Sequence, residues 1–376
     1  VYYRGLYNKQ YIYKKHKKRS HQYMNKKICI TTDWHLDCKN GSEILLESQL
    51  RFFKNTFIKT LKKNNIDTII HLGDFTDNPQ KIGIRTKNTI IDLFENEFKD
   101  FKWYIIEGNH DLPIRSDLKI SSVRFLKKFP NVTIIDDITK LEFFGKETLL
   151  VPWQVDNEEF AMKVNNKNTT CEICMGHFPI NGFYMNAKMA CTDELNPDIF
   201  FSNFKVTLSG HFHNRDIKKR GNSTIHYIGN PFHFNRNDSN SERGFIIFDF
   251  ETLEHEYINN NDSIKYLKVK YPEDYSKIPI EGNIIDVDYF YDEHSVEEDF
   301  QDYLKGIQER NPLYPPYPKR INNIEESKKD IQIESKSNRS ILTEFVSKTI
   351  IDTEQKEILD RLDDLYNECI KGAIDD

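Results

Sequence analysis

Lys27-Ile28-Cys29-Ile30-Thr31-Thr32-Asp33-Trp34-His35 reads as a short apolar strand that runs out into an acid and an imidazole. The same pattern returns four times. The apolar run Thr68–Leu72 ends in Gly73-Asp74, and Trp103–Glu107 ends in Gly108-Asn109-His110-Asp111. Cys171–Met175 ends in Gly176-His177, and Val206–Ser209 in Gly210-His211-Phe212-His213. Between the first three runs, Glu43–Asn64 and Ile84–Phe98 carry apolar residues at helical spacing. Strand, helix and strand in alternation predict right-handed crossovers in a layered α/β core.

After Val132 the apolar runs shorten: Thr133–Ile135, Leu141–Phe144, Leu149–Val151, Cys171–Met175, Val206–Ser209, Thr224–Ile228 and Phe245–Phe250. They predict a second sheet packed face to face with the first, giving a two-sheet α/β sandwich with helices outside. Residues 26–260 form this expected core. The polar break at Asn259-Asn260-Asn261-Asp262 closes it, and 263–311 holds enough strand and helix for a small appended α+β domain. Four prolines between Pro312 and Pro318 start an expected flexible linker over 312–340. Residues 341–372 read as helices, with Ile358, Leu362, Leu365, Tyr366 and Ile370 on one face.

In open α/β sheets ligands bind beyond the carboxyl ends of strands. Five strand ends here deliver Asp33, His35, Asp74, Asn109, His177, His211 and His213 to one rim. Carboxylate, amide and imidazole donors suit borderline divalent cations such as Mn²⁺, Fe²⁺ or Zn²⁺, and no thiolate is needed. Strand alternation would aim Asp33 and His35 to one side, and likewise His211 and His213. Asp74 could bridge. Two such cations, about 3.5–4 Å apart, clamp a phosphate and acidify a water between them. His110 is then the candidate to protonate the leaving oxygen, with Asp111 expected to hold its ring through the other nitrogen. Isolated His71 and His226 read as satisfied structural histidines, and Cys171-x-x-Cys174 as buried thiols.

Taken in order, Asp-x-His, Gly-Asp, Gly-Asn-His, Gly-His and Gly-His-x-His resemble the motifs of the calcineurin-like metallophosphoesterases. Gly108-Asn109-His110-Asp111, Pro152-Trp153 and Gly229-Asn230-Pro231 resemble the double-strand-break nuclease branch. That branch includes SbcD-type exonuclease subunits and the recombination endonuclease subunits of T-even-like phages. The phosphatase branch ends its third motif in Glu and carries an Arg just after the second, where this chain reads Phe75-Thr76-Asp77. The resemblance implies one cation on Asp33, His35, Asp74 and His213. It implies a second on Asp74, Asn109, His177 and His211, with His110 as the leaving-group residue. It further implies Mn²⁺ as the cofactor, double- and single-stranded DNA as substrate, and an SMC-like ATPase docked on the C-terminal helices. A homodimer is compatible with it. Many relatives carry His where Asp77 stands, and that His is linked to exonuclease work on duplex ends. A phosphatase or cyclic-nucleotide phosphodiesterase, and a non-catalytic scaffold, are the competing readings.

Composition narrows these further. The chain of 376 residues has a formal charge of −6, so bulk positive charge cannot be what holds DNA. Residues 1–25 read as a disordered basic extension, with Met24 as the expected natural start. No run approaches the roughly 18 apolar residues of a membrane span. Six cysteines in so long a chain fit reduced thiols, and the expected compartment is the cytoplasm.

Overall fold

The strand at Lys27–Thr31 (β1) lies inside its sheet, and its two faces serve different layers. Ile28 and Ile30 point into the space between the sheets, while Cys29 points into the layer of helices. The structure is a computed structural model that describes residues 26–114, 120–154, 157–166, 171–186, 189–192, 194–290, 297–321 and 333–334. The basic extension and the helices expected over 341–372 lie outside the described residues.

Helix α1 follows as Glu43–Phe52, Phe53–Phe57 and Ile58–Lys63, with the middle segment wound as a π turn. The extra residue of that turn shifts the phase of the apolar stripe, and Phe52, Phe53, Phe57, Ile58 and Leu61 are all buried. Strand β2 (Thr68–His71) leads to helix α2 (Ile84–Asp92, continued by a π turn at Leu93–Glu97), then β3 (Lys102–Ile106) and β4 (Val132–Ile135). A hairpin of β5 (Thr139–Phe143) and β6 (Lys146–Val151) precedes α3 (Asn157–Asn166) and β7 (Ile173–His177). The short strands β8 (Tyr184–Asn186) and β9 (Met189–Ala190) come before α4 (Pro197–Asn203). Then follow β10 (Val206–Gly210), β11 (Asp216–Arg220), β12 (Ser223–Tyr227), β13 (Gly244–Asp249) and β14 (His255–Asn259).

Two six-stranded sheets result, ordered β14-β13-β1-β2-β3-β4 and β11-β12-β10-β7-β6-β5. They confirm the α/β sandwich but redistribute its strands. β4 and β13, expected in the second sheet, extend the first on opposite sides, with Ile106 facing Ile135 and Ile28 facing Phe248. A short apolar run records burial on both faces and carries no mark of which sheet it joins. Ile70, Leu72 and Ile106 meet Leu150, Met175 and Leu208 between the sheets. Cys171 and Cys174 are unpaired thiols buried under the outer helices, as the sequence suggested.

Trp34 sits between two polar residues of the site and turns the opposite way. It is fully buried, its indole nitrogen donates to Thr31 Oγ1 at 2.7 Å, and its ring packs on Phe53, Phe75 and Trp103. The segment after β1 is thus fastened from the helix side while its neighbours face the cleft.

β15 (Tyr266–Lys270), β16 (Ile284–Phe290), α5 (Glu297–Gln308) and β17 (Tyr317–Ile321) form a small unit with its own core of Leu267, Val269, Ile285, Val287 and Ile307. β17 falls inside the stretch read as a flexible linker. It pairs in parallel with β16, and Pro318 is accommodated because β17 is an edge strand, where a missing N–H leaves no ladder bond unmade. Arg236 Nε donates to the buried Asp286 at 2.9 Å, and Ile264 N donates to Ser48 Oγ at 2.8 Å, fixing the unit to the core. Among the described residues no helix is long and apolar enough to cross a membrane.

Candidate metal centre

The five strand ends converge on one rim, but not by the pleat of the strands. Asp33, His35, Asp74 and His211 all have left-handed backbone, with φ of 51°, 43°, 54° and 89°. Asp33 and His35 lie past the end of β1, so the expected same-side alternation does not place them; two left-handed residues do. Such backbone costs about 1–3 kcal/mol per residue and persists only where the surroundings enforce it. Here the loop after β1 keeps pairing with the loop after β2: Asp33 N donates to Gly73 O at 2.9 Å and His35 N to Asp74 O at 3.1 Å. Gly73, at φ 105°, runs so close beneath His177 that a Cβ there would lie 2.5 Å from Nδ1.

Three groups of donors result: one joins His35 to Asp77 and His110, and the other two are built from the residues named as ligands from the sequence. Asp33, His35 and His213 bring ligand atoms within 4.8 Å of one another, and so do Asp74, His177 and His211. His35 Nε2 faces His213 Nε2 at 3.2 Å. Asn109 Oδ1 lies 3.0 Å from both His177 Nε2 and His211 Nδ1, adding an amide oxygen to the second set. Asp74 Oδ2 reaches both sets, 3.2 Å from His177 Nε2 and 3.7 Å from His35 Nε2. All seven residues named from the sequence are therefore together. The donor chemistry fits two divalent cations: imidazoles and carboxylates meet across short gaps. His177 Nδ1 lies 2.8 Å from Leu72 O, and a carbonyl only accepts, so Nδ1 carries the proton and Nε2 is left for the site.

The electrostatics bear the mark of negative charge gathered in a buried place. Burial opposes a charged His177, but the Asp74 carboxylate beside it prevails and lifts its pKa to about 9. Burial likewise opposes the charged Asp74, yet the adjacent imidazoles hold it well below the usual carboxylate range. Burial, then the neighbouring His35 charge, pushes His213 well below the ordinary histidine value.

His110 stands at the edge of the centre. Its backbone N–H donates to Asp74 Oδ1 at 2.8 Å, and its ring meets His35 edge-on with centroids 4.8 Å apart. Asp111, expected to hold this ring, does not. Its carboxylate accepts from Gly108 N, Phe75 N, Thr76 N and Thr76 Oγ1 at 3.0–3.2 Å, tying the second and third motif loops together. Burial and the nearby Asp74 charge raise its pKa to about 7 despite those donors. The group on His110 Nδ1 is the backbone carbonyl of Asp77, at 2.9 Å. Adjacency in sequence suggested Asp111, but the 3₁₀ turn over Asn109–Asp111 points successive side chains in different directions.

Sequence reading also missed Arg243. It is 3% exposed and donates to His213 O, Asn230 Oδ1, Asn214 Oδ1 and Asp238 Oδ1, so it clamps the loop that carries His213. It lies in a polar stretch without motif or period, and only the fold reveals it. Arg243→Ala leaves the buried Asp238 with its backbone donors but without its charged partner, so we expect a loss of about 3–5 kcal/mol, read as a lower denaturant midpoint. His71, His226 and His233 belong to neither donor set. Trp153 packs its ring on His211 with centroids 5.2 Å apart.

A family model described as calcineurin-like phosphoesterase matches residues 26–215. Exonuclease subunit 1 of Enterobacteria phage T4 is 28% identical over 354 residues, covering 91% of this chain and 99% of that protein. The DNA double-strand break repair protein Mre11 of Methanococcus maripaludis is 28% identical over 176 residues, 43% of this chain and 45% of that protein. A putative phosphoesterase of Invertebrate iridescent virus 3 is 23% identical over 225 residues, 58% of this chain and 62% of that protein.

Proposed function

The chain belongs to the calcineurin-like phosphoesterase family, and we propose that it is a metal-dependent DNA nuclease acting as one subunit of a repair or recombination complex. The observation that carries the hydrolase reading is the pair of donor sets joined by Asp74, with His110 held at their edge. The nuclease reading is supported by the near full-length match to the phage exonuclease subunit, and the assignment to DNA by the partial match to the DNA double-strand break repair protein Mre11. Mn²⁺ is the proposed cation, and an SMC-like ATPase the proposed partner, docked through residues 341–372. A homodimer is compatible with this reading.

Asp33, His35, Asp74 and His213 would hold one cation, and Asp74, Asn109, His177 and His211 the other. When bound, the two cations supply positive charge for a phosphodiester and lower the pKa of a water. The protein's own part is orientation and proton transfer. His110 Nδ1 is committed to the Asp77 carbonyl, so its Nε2 is the position from which a protonated ring gives a proton to the leaving oxygen. Asp111 fixes the loops from which Asp74 and Asn109 project.

One assay tests the reading: purified protein with Mn²⁺, linear duplex DNA, single-stranded DNA and a nitrophenyl phosphate monoester. Cleavage of DNA is expected. Hydrolysis of the monoester alone would replace the nuclease with a phosphatase.

Metal loading is expected to be proton-linked. In the metal-free protein His177 has a pKa of about 9, so near neutral pH its Nε2 proton must leave as a cation binds. Mn²⁺ affinity therefore rises with pH until about 9. Calorimetric titration in two buffers of different ionisation enthalpy should report proton release; identical heats would contradict it. The sign is opposite for stability of the metal-free fold. The raised His177 pKa stabilises it fully below the ordinary histidine value, and that contribution is lost as pH climbs through about 9.

A further inference from the structure

Asp77 stands next to the centre, outside the two proposed cation sets but in a third donor group with His35 and His110, so it touches a member of one set and the proposed acid. Its main chain is fixed first: Asp77 N donates to Leu36 O at 2.9 Å, and Asp77 O accepts from His110 Nδ1, also at 2.9 Å. From this anchored position its carboxylate Oδ1 reaches His35 Nδ1 at 3.2 Å, a close ion-pair contact though not a well-aligned hydrogen bond. His35 Nδ1 is buried and has no other polar partner, so Asp77 is the group available to hold its proton. The opposite ring nitrogen, Nε2, is the one that faces His213 and Asp74.

We propose that Asp77 is a positioning residue with two separate jobs: its carboxylate sets the tautomer of His35 and strengthens its Nε2 as a cation donor, and its carbonyl aims His110. The proposal rests on the two-cation reading given above. The group behind Nδ1 differs between two of the proposed ligands, one from each donor set. His177 leans on a neutral carbonyl, whereas His35 leans on a carboxylate. A carboxylate behind an imidazole raises its basicity as a ligand, so the two cation sites should depend unequally on Asp77. The side chain and the carbonyl act on different histidines, so a side-chain substitution separates the two jobs.

The test uses the full chain and Mn²⁺ as the probe. For Asp77→Ala, calorimetry should show one of two sites weakened about 10- to 100-fold, the usual cost of losing the carboxylate behind a ligating histidine. The other site should keep its affinity. At saturating Mn²⁺ the rate of DNA cleavage should return towards that of the wild type, because the carbonyl on His110 remains. Asp77→Asn, whose amide oxygen still accepts from Nδ1, should recover part of the lost affinity. Unchanged affinity at both sites, or an equal loss at both, overturns the proposal. If Asp77→Ala does not fold, long-range ¹H–¹⁵N correlation on metal-free wild-type protein decides instead. His35 protonated at Nδ1 supports the proposal, and His35 protonated at Nε2 alone overturns it. Both readouts work without DNA. A wild-type protein that bound two Mn²⁺ but cut no DNA would remove the nuclease reading and leave this inference to its own result.

Discussion

Asp74→Ala should empty both cation sites at once and stop hydrolysis. Asp74 is the residue whose loss is not confined to one half of the centre. Its Oδ2 stands 3.2 Å from His177 and 3.7 Å from His35, one member of each donor set, and its Oδ1 accepts the backbone N–H of His110. Removing it takes a donor from both sites and loosens the loop that presents the proposed acid. Groups that act as a unit fail together, so the expected loss of rate is on the order of 10⁴-fold or more. The measurement is metal content after dialysis, set beside the rate on linear DNA. Retention of one tightly bound cation would show that Asp74 serves a single site. Asp74→Asn separates shape from charge, because it keeps the outline and one oxygen donor. It should retain more metal than the alanine variant while remaining slow.

Much of this centre was legible in the sequence because its chemistry is written at strand ends. A run of apolar residues that stops at Gly-Asp or Gly-His gives both the element and the place where the side chain emerges. Seven donors named in this way are adjacent in space. What the sequence withheld is what depends on backbone direction. Asp33 and His35 reach the site through left-handed residues, and no period in the chain encodes that. Asp111 looked like the partner of His110 because it is adjacent, but a 3₁₀ turn sends it towards the neighbouring loop and leaves the ring to a carbonyl 33 positions earlier. A backbone carbonyl carries no residue type, so no sequence pattern could have announced it. The strands β4 and β13 were visible as strands and invisible as members of a particular sheet, since burial on two faces looks the same in either. Pro318 misled in the opposite way. Proline excludes a central strand, and β17 is an edge strand.

His110→Ala should separate chemistry from metal binding. The ring of His110 belongs to neither of the two proposed cation sets, and its link to Asp74 runs through the backbone N–H, which the substitution keeps. Cation stoichiometry should therefore stay at the wild-type value while the rate on DNA falls by about 10²–10⁴-fold, the range for loss of a positioned general acid. The dependence on leaving group makes the test specific. A nitrophenolate leaves without needing a proton, whereas the alkoxide of a nucleotide requires one. The variant should lose much less on a nitrophenyl phosphodiester than on DNA. An equal loss on both substrates would move His110 from proton donor to a group that stabilises charge on the phosphate. His110→Gln refines the distinction, because it offers a hydrogen bond without a titrating proton. If His110 acts as an acid, glutamine restores little on DNA. If it acts by hydrogen bonding to the phosphate, glutamine restores a large part of the rate.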